Sequence, residues 1–125
     1  IGLTTCTGTV SAASDWGAAV VRKRVRPPRD DSVEAIFGAV GHDAFWLRLR
    51  DDGRAAEELF APRLERAIGV IYRPENELAS HYFEAHLSEQ FDYVVHFDET
   101  RAVEPLERTV EWQRGEPPET YPTAL

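Results

Sequence analysis

A histidine and a carboxylate lie two residues apart in the segment His96-Phe97-Asp98. Alternate side chains of an extended strand point to the same face, so this spacing brings the imidazole and the carboxylate together. Such a pair can bind a metal ion, or it can join a general base to the acid that orients it. More often the same spacing belongs to an ordinary hydrogen-bonded or solvated pair. The sequence therefore assigns this pair neither a metal ion nor a catalytic role.

The remaining nucleophiles and bases form no complete catalytic motif. Cys6 is the one cysteine of the chain, which excludes an internal disulfide and a multi-cysteine zinc site. His81 and His86 are five residues apart and share neither a helix face nor a strand face cleanly. The sequence contains no Gly-x-Ser-x-Gly elbow, no phosphate-binding glycine loop and no His-Glu-x-x-His motif. We predict Cys6 to be a small side chain in a sheet, and from the motifs alone we predict no cofactor.

A basic run, Arg22-Lys23-Arg24-Val25-Arg26, is the feature most suggestive of nucleic acid. The arginines alternate with Val21, Lys23 and Val25, which is typical of a strand with a basic solvent face. The chain as a whole carries a net charge of −8, which argues against nucleic acid or an anionic membrane as the main partner. An alternative is that the arginines pair with acidic groups elsewhere in a larger protein.

The length of 125 residues corresponds to one ordinary domain, and the hydrophobic content of 42% is enough for a core. No apolar run is long enough to span a bilayer, and the opening lacks the basic and apolar regions of a signal peptide. We therefore predict a cytoplasmic protein with no membrane partner. The chain begins at Ile1, contains no methionine and opens as if within a strand, so we expect it to be the C-terminal piece of a longer protein.

The first half of the chain predicts a hairpin, a helix and a strand. Gly8 indicates a bulge or bend between two short strands, and residues 9–26 read as a hairpin. A helix is predicted to begin at an Asp31 N-cap, with Glu34 as its capping-box partner, and to end near residue 41. Alternation over residues 45–49 predicts a strand with one buried face, and a short helix is expected over residues 54–60.

In the second half, two apolar runs predict strands that are covered on both faces, at residues 67–72 and 93–97. Residues 73–90 are predicted to be loop with about one helical turn. We predict an α/β fold, with a mixed β-sheet and flanking helices that form an incomplete C-terminal part of a larger domain. Residues 1–106 belong to this domain, and residues 107–125 are predicted to be a polar, proline-rich tail.

The ends of predicted strands mark a candidate site, because loops at the carboxyl ends of strands often build the sites of α/β proteins. The candidate pocket edge consists of Thr5, Thr7, Tyr72, Arg73, Asp98 and Glu99. Each of these residues could equally be an ordinary surface residue.

Five blocks in a fixed order resemble the C-terminal part of erythromycin esterase family proteins. They are Thr-Gly-Thr-Val-Ser-Ala-Ala-Ser-Asp-Trp-Gly at 7–17, Arg-Lys-Arg-Val-Arg-Pro at 22–27, Arg-Ala-Ile-Gly-Val-Ile-Tyr-Arg-Pro-Glu at 66–75, Ser-His-Tyr-Phe at 80–83, and Gln-Phe-Asp at 90–92 with His-Phe-Asp-Glu-Thr-Arg-Ala-Val-Glu-Pro-Leu at 96–106. The resemblance spans nearly the whole chain except the proline-rich tail.

The resemblance implies hydrolysis of macrolide lactones or other esters by a histidine that activates water, without a metal ion, and an association with antibiotic resistance. The implied partner is a small-molecule ester. The residues that do this chemistry belong to Gly-Glu…His-Gly and His-Asn-x-His segments, and neither segment occurs in these 125 residues. No catalytic residue is therefore carried over, and we expect the chain to be inactive alone.

The sequence departs from the family pattern at Cys6, where an aromatic residue is frequent, and at residues 18–21, where a Gly-Pro stretch is frequent. The alternative to an enzyme fragment is a non-catalytic binding or interaction module left by gene truncation. The sequence predicts no oligomeric state.

Overall fold

The computed structural model describes residues 1–50 and 53–115, which form one four-stranded sheet, one two-stranded sheet and several short helices. The strands are β1 (Gly2–Ala12), β2 (Val21–Val25), β3 (Ala44–Arg48), β4 (Arg63–Arg66), β5 (Tyr82–Ala85) and β6 (Tyr93–Thr100). The helices are α1 (Val33–Gly38), α2 (Arg54–Glu58), α3 (Glu77–Ser80), α4 (Leu87–Gln90) and α5 (Val110–Arg114), with a 3-10 turn at Pro74–Asn76.

The larger sheet has the order β2-β1-β6-β3 and is mixed, which confirms the predicted fold class. β1 runs parallel to β6, whereas β2 and β3 run antiparallel to their neighbours. β1 is one long strand rather than the two short ones predicted, and its pairing passes from β6 to β2 at Gly8. Gly8 has a φ of +114°, and a Cβ there would lie 2.0 Å from the Thr100 carbonyl oxygen, so this crossing point needs glycine.

The predicted hairpin between β1 and β2 is confirmed, because Thr9 pairs with Arg24 and Ala12 pairs with Val21. Lys23 and Val25 are buried, while Arg22 and Arg24 are exposed, as the alternation predicted. The buried Lys23 ammonium group donates to the Tyr72 carbonyl oxygen at 2.8 Å.

Helix α1 packs on one face of the larger sheet and contributes Val33 and Phe37 to the core, which also contains Leu49, Leu59, Leu87 and Val94. The N-cap is Ser32, not Asp31 as predicted, since the Ser32 hydroxyl accepts the Ala35 amide hydrogen bond. Asp31 instead binds the guanidinium of Arg29 through both carboxylate oxygens at 2.8 Å. Glu34 closes no capping box either: it is buried, and its Oε1 accepts from the Arg66 amide at 3.0 Å.

Residues 67–72 do not form the predicted central strand. Their contact with β1 is an isolated bridge between Ile71 and Ala13, and Val70 is 65% exposed. The strand in this region is β4, which ends at Arg66 and pairs with β5 in the smaller sheet. Residues 73–90 are also more regular than the predicted loop, since they contain the 3-10 turn, α3, β5 and α4. These elements are short, so tertiary contacts rather than local periodicity hold them.

Part of the second face of the larger sheet is open in the described part of the chain. Strand alternation and the pairing of Leu3 and Trp46 with Val95 put Leu3, Trp46 and Phe97 on the face away from α1. These three side chains are 70%, 66% and 44% exposed, and we call them the open sheet face. The prediction that β6 is covered on both faces is therefore wrong for the described residues.

The predicted tail begins with a helix. Thr109 caps α5, and the buried Trp112 donates its indole N–H to the Ser11 hydroxyl at 3.2 Å. The Arg22 guanidinium lies over the Trp112 ring at 5.8 Å, so α5 is packed against β2. Residues 116–125, the rest of the predicted tail, lie outside the described residues, and the division near residue 107 stays a prediction. Within 1–50 and 53–115, no helix is long and apolar enough to cross a membrane.

Candidate functional site

A groove of about 660 Å³ runs along β1, lined by residues 1–5 and 9–11 of the chain and by residues at the end of β6. Apolar side chains form much of the lining, namely Ile1, Leu3, Ile68, Phe83, Phe91 and Phe97. Polar groups lie among them, namely Thr4, Thr5, Glu34, Glu65 and Arg66. A concave surface that is mainly apolar and has a few converging polar groups is typical of a small-molecule site.

Arg66 joins β1 to the smaller sheet. Its Nη2 donates to the carbonyl oxygens of Thr5 and Cys6 at 2.6 and 2.7 Å, in a part of β1 that pairs with β6 but not with β2. Its Nη1 donates to the Arg26 carbonyl at 2.8 Å and to Glu77 Oε1 at 3.1 Å. Because the Arg66 and Glu77 side chains are 1% and 0% exposed, this ion pair is fully desolvated.

Two tyrosine hydroxyls complete the hydrogen bonding of Glu77. Tyr72 donates to Oε2, and Tyr82 donates to Oε1 at 3.1 Å. Burial raises the pKa of the Tyr72 phenol above its usual range and raises the pKa of Tyr82 to about 12, so both stay protonated donors. Tyr72 and Tyr82 also accept from the Arg26 and Arg29 amides. We regard this network as the support that fixes the groove wall.

Two further acidic residues, Glu34 and Glu65, lie buried beside the groove. Neither Oε2 atom has a hydrogen-bond partner among the described residues. Burial, together with a smaller effect of the nearby Glu34 carboxylate, raises the pKa of Glu65 to about 7. Burial also raises the pKa of Glu34, against the stabilising hydrogen bond from the Arg66 amide. Glu65 can therefore hold or release a proton near neutral pH.

The pair predicted from His96-Phe97-Asp98 lies on one face of β6, under α1. His96 Nε2 is 3.7 Å from Asp98 Oδ1, and the His96 ring is fully buried. The other ring nitrogen, Nδ1, is 2.8 Å from the Thr4 hydroxyl. Burial lowers the pKa of His96, and Asp98 only partly offsets this, so the imidazole is neutral at neutral pH. Cys6 lies beside the pair, which the sequence did not indicate.

The six residues of the predicted pocket edge do not meet at one site. Of them, only Thr5 is among the lining residues of the groove. Tyr72 is fully buried, and residues 67–72 do not form the strand that was predicted to end there. Arg73 lies at the surface against Asp15 and the Ser14 carbonyl.

The remaining three residues lie along β1 and β6. Asp98 belongs to the α1 side, with His96. Glu99 is exposed on the opposite side, and its partner in the sheet is Thr7. Thr7 donates to the Asp98 carbonyl oxygen at 3.4 Å.

Three polar residues of the groove were missed by the sequence analysis, namely Glu34, Glu65 and Arg66. Glu34 was predicted to be a capping-box residue, and the sequence predicted no role for Glu65 or Arg66. Their burial comes from contacts between residues far apart in the chain, such as Arg66 with Thr5 and Cys6. Local residue spacing cannot predict contacts between residues so far apart in the chain.

The erythromycin esterase family model matches residues 1–100. The chain belongs to the erythromycin esterase family. This confirms the predicted resemblance, and the matched region contains the Arg66–Glu77 pair, the His96–Asp98 pair and most of the groove lining.

Two solved structures have a similar fold. A succinoglycan biosynthesis protein shares 27% identity over 80% of this chain, with a TM-score of 0.65. A Bacillus cereus protein shares 18% identity over 80% of this chain, also with a TM-score of 0.65, and shows the fold alone. The chain spans 23% and 24% of the lengths of these two proteins.

Proposed function

We propose that the chain forms part of an ester hydrolase of the erythromycin esterase type, in which it supplies one wall of the substrate cleft. The observation that carries the proposal is the groove beside β1, in which apolar walls surround a buried acid whose pKa is about 7. The family membership supports the reaction class.

The groove suits an ester with a large apolar part. The phenylalanine rings of the lining would contact that part, and polar groups such as Thr5 and Glu65 would face the ester. In hydrolysis, water adds to the ester carbonyl carbon, the bond to the alkoxide oxygen breaks, and the leaving oxygen takes a proton. Glu65 is suited to give that proton, because its carboxyl group is partly protonated at neutral pH. The water-activating histidine would come from another part of the domain.

The open sheet face supports a role within a larger domain. Leu3, Trp46 and Phe97 form an apolar surface that is continuous with the groove, because Leu3 and Phe97 also line the groove. The similar solved proteins are about four times as long as the region matched. We propose that the rest of such a domain covers this face and closes the cleft. Macrolide lactones, and with them antibiotic resistance, are one candidate substrate class within the proposal, alongside other esters.

A chimera tests the proposal. It joins this chain to the preceding part of an active family esterase, and it is assayed on a macrolide lactone and on a simple aryl ester. We expect turnover by the chimera and none by the chain alone. Glu65→Gln in the chimera should lower kcat at least tenfold, whereas the exposed Glu84→Gln should leave kcat within twofold.

Two results would contradict the proposal. Turnover by the chain alone that is lost on replacing His96 or His81 would show a complete local site. A folded chimera that binds ester substrates without hydrolysing them would favour the alternative, a non-catalytic binding module.

A further inference from the structure

We propose that Cys6, His96 and Asp98 form a binding site for a zinc-like divalent cation between β1, β6 and α1. The Cys6 Sγ, a ring nitrogen of His96 and a carboxylate oxygen of Asp98 all lie within 4.8 Å of one another. None of the three lines the groove, so this site is separate from the proposed ester cleft.

The register of the sheet brings the three residues together. Thr4 on β1 is paired with His96 on the parallel strand β6, so Cys6 lies beside Asp98 two residues further along both strands. All three side chains lie on the face that α1 covers. Cys6 and His96 are buried, while Asp98 is partly exposed and leaves a side open to solvent.

The unsatisfied ring nitrogen of His96 also points to a bound ligand, separately from the closeness of the three side chains. His96 Nε2 is buried, and it has no hydrogen-bond partner among the described residues. Its distance of 3.7 Å from Asp98 Oδ1 is too long for a hydrogen bond. A buried polar atom without a partner is costly, and a cation between the two atoms would satisfy both.

The surroundings of His96 hold the ring in the orientation that a ligand needs. The Thr4 hydroxyl is 2.8 Å from Nδ1, and when it accepts the Nδ1 hydrogen it leaves the lone pair on Nε2 free. Phe37 and Phe45 pack against the ring, with centroid distances of 5.5 and 5.2 Å. This support resembles the outer shell of known histidine metal sites.

The donor set selects the type of cation. A thiolate, an imidazole and a carboxylate together suit Zn²⁺ and its spectroscopic substitute Co²⁺, whereas Mg²⁺ and Ca²⁺ prefer oxygen ligands alone. Ligand atoms around a tetrahedral zinc ion are separated by roughly 3.3–3.6 Å. The distance between Nε2 and Oδ1 is already close to this value. Cys6 would exchange its hydrogen bond to the Glu34 carbonyl for the metal, and water would complete the coordination.

Cobalt titration of the purified chain tests the site without any assay of activity. We expect one Co²⁺ per chain, intense visible bands of tetrahedral coordination, and a near-ultraviolet charge-transfer band that requires a thiolate ligand. Zn²⁺ should displace the Co²⁺. Cys6→Ser should abolish the charge-transfer band, and Asp98→Asn and His96→Gln should each weaken binding at least tenfold.

His86 offers a matched control, because it is a partly exposed histidine within 4 Å of two carboxylates, those of Glu84 and Glu89. His86→Gln should leave Co²⁺ affinity within twofold of the wild type. Circular dichroism checks the fold of each variant, and if His96→Gln fails to fold, Cys6→Ser and Asp98→Asn decide. The absence of a thiolate band in the folded wild-type chain would overturn the proposal, and so would its persistence in Cys6→Ser.

Discussion

Gly38 passes so close to Cys6 that a Cβ built on Gly38 would lie 2.4 Å from the Cys6 Sγ. Side-chain carbons essentially never approach a neighbouring atom so closely. Gly38 is the last residue of α1, and Cys6 is in the middle of β1, so this contact sets how near the helix lies to the sheet. The Cys6 thiol donates to the Glu34 carbonyl of the same helix at 3.1 Å, so turning Cys6 away from Gly38 would break this hydrogen bond.

We predict that Gly38→Ala lowers the free energy of unfolding by roughly 1–3 kcal/mol, as overpacking of a tight contact usually does. The intrinsic helix preference of alanine over glycine, about 1 kcal/mol, acts in the opposite direction and is included in that net value. Urea denaturation should show a lower midpoint with an unchanged slope.

Gly69→Ala is the matched control, since a Cβ at Gly69 meets nothing within 4 Å and its φ is not in the left-handed region. Its effect should stay within about 0.5 kcal/mol. Adding Cys6→Ala to Gly38→Ala should recover part of the loss, because the clash is with Sγ. Equal midpoints for Gly38→Ala and the wild type would show that α1 can shift freely.

The Arg66–Glu77 pair gives the second prediction. Glu77→Gln would leave the Arg66 guanidinium buried without its counter-charge, so we expect a loss of roughly 3–5 kcal/mol in the free energy of unfolding. Glu104→Gln breaks an exposed pair with Arg108 and should cost less than about 1 kcal/mol. Chemical denaturation of both variants makes the comparison. Similar small losses in both would mean that water reaches the Arg66–Glu77 pair.

Local periodicity was enough to predict the elements whose two faces differ. Val21, Lys23 and Val25 alternate with arginines, and the structure buries Lys23 and Val25, leaves Val21 half-buried and exposes Arg22 and Arg24. The alternation in β3 was read correctly for the same reason: Phe45 and Leu47 pack on the core, whereas Trp46 is exposed. Pairing of β1 with β6 did not follow from any local pattern, because the two strands are separated by most of the chain.

The run at 67–72 shows why composition alone misleads. A short apolar run is consistent with a buried strand, a buried helix or a loop with apolar side chains, and it contains no period that separates them. Here Tyr72 is buried and its hydroxyl donates to Glu77, while Val70 is exposed. Two of the six predicted edge residues, Tyr72 and Arg73, were placed there because a strand was expected to end at Tyr72, and residues 67–72 form no such strand.

The buried acid next to the groove predicts an unusual dependence of stability on pH. In the unfolded chain Glu65 has its ordinary pKa near 4.5, and in the folded chain its pKa is about 7. The folded state therefore binds the proton more tightly, so the contribution of Glu65 to stability is full below pH 4.5 and is lost as the pH rises towards 7. Glu65→Gln should remove this loss and should be more stable than the wild type at pH 8 by roughly 1–3 kcal/mol.

The measurement is the difference in unfolding free energy between Glu65→Gln and the wild type at several pH values. His96 acts in the opposite direction, because its lowered pKa keeps it neutral in the folded state and stability is lost as the pH falls below 6.5. Subtracting the wild type from the variant cancels the His96 effect. The exposed Glu84→Gln should give a difference that is flat with pH, and a flat difference for Glu65→Gln as well would show that Glu65 ionises normally.

The open sheet face predicts how the chain behaves in solution by itself. Leu3, Trp46 and Phe97 expose apolar surface across three neighbouring strands, and such surfaces favour association. We expect the purified chain to self-associate, or to bind a hydrophobic dye strongly.

Replacing Leu3 and Trp46 together by threonine should reduce dye binding severalfold, since threonine keeps a β-branched side chain in the strand but removes most of the apolar area. Val110→Thr, at an exposed position of α5, is the control and should change dye binding little. Dye fluorescence and sedimentation of the three proteins make the comparison. A monomer that melts sharply and binds no dye would mean that this face needs no cover, and it would remove the support that the face gives to a larger domain.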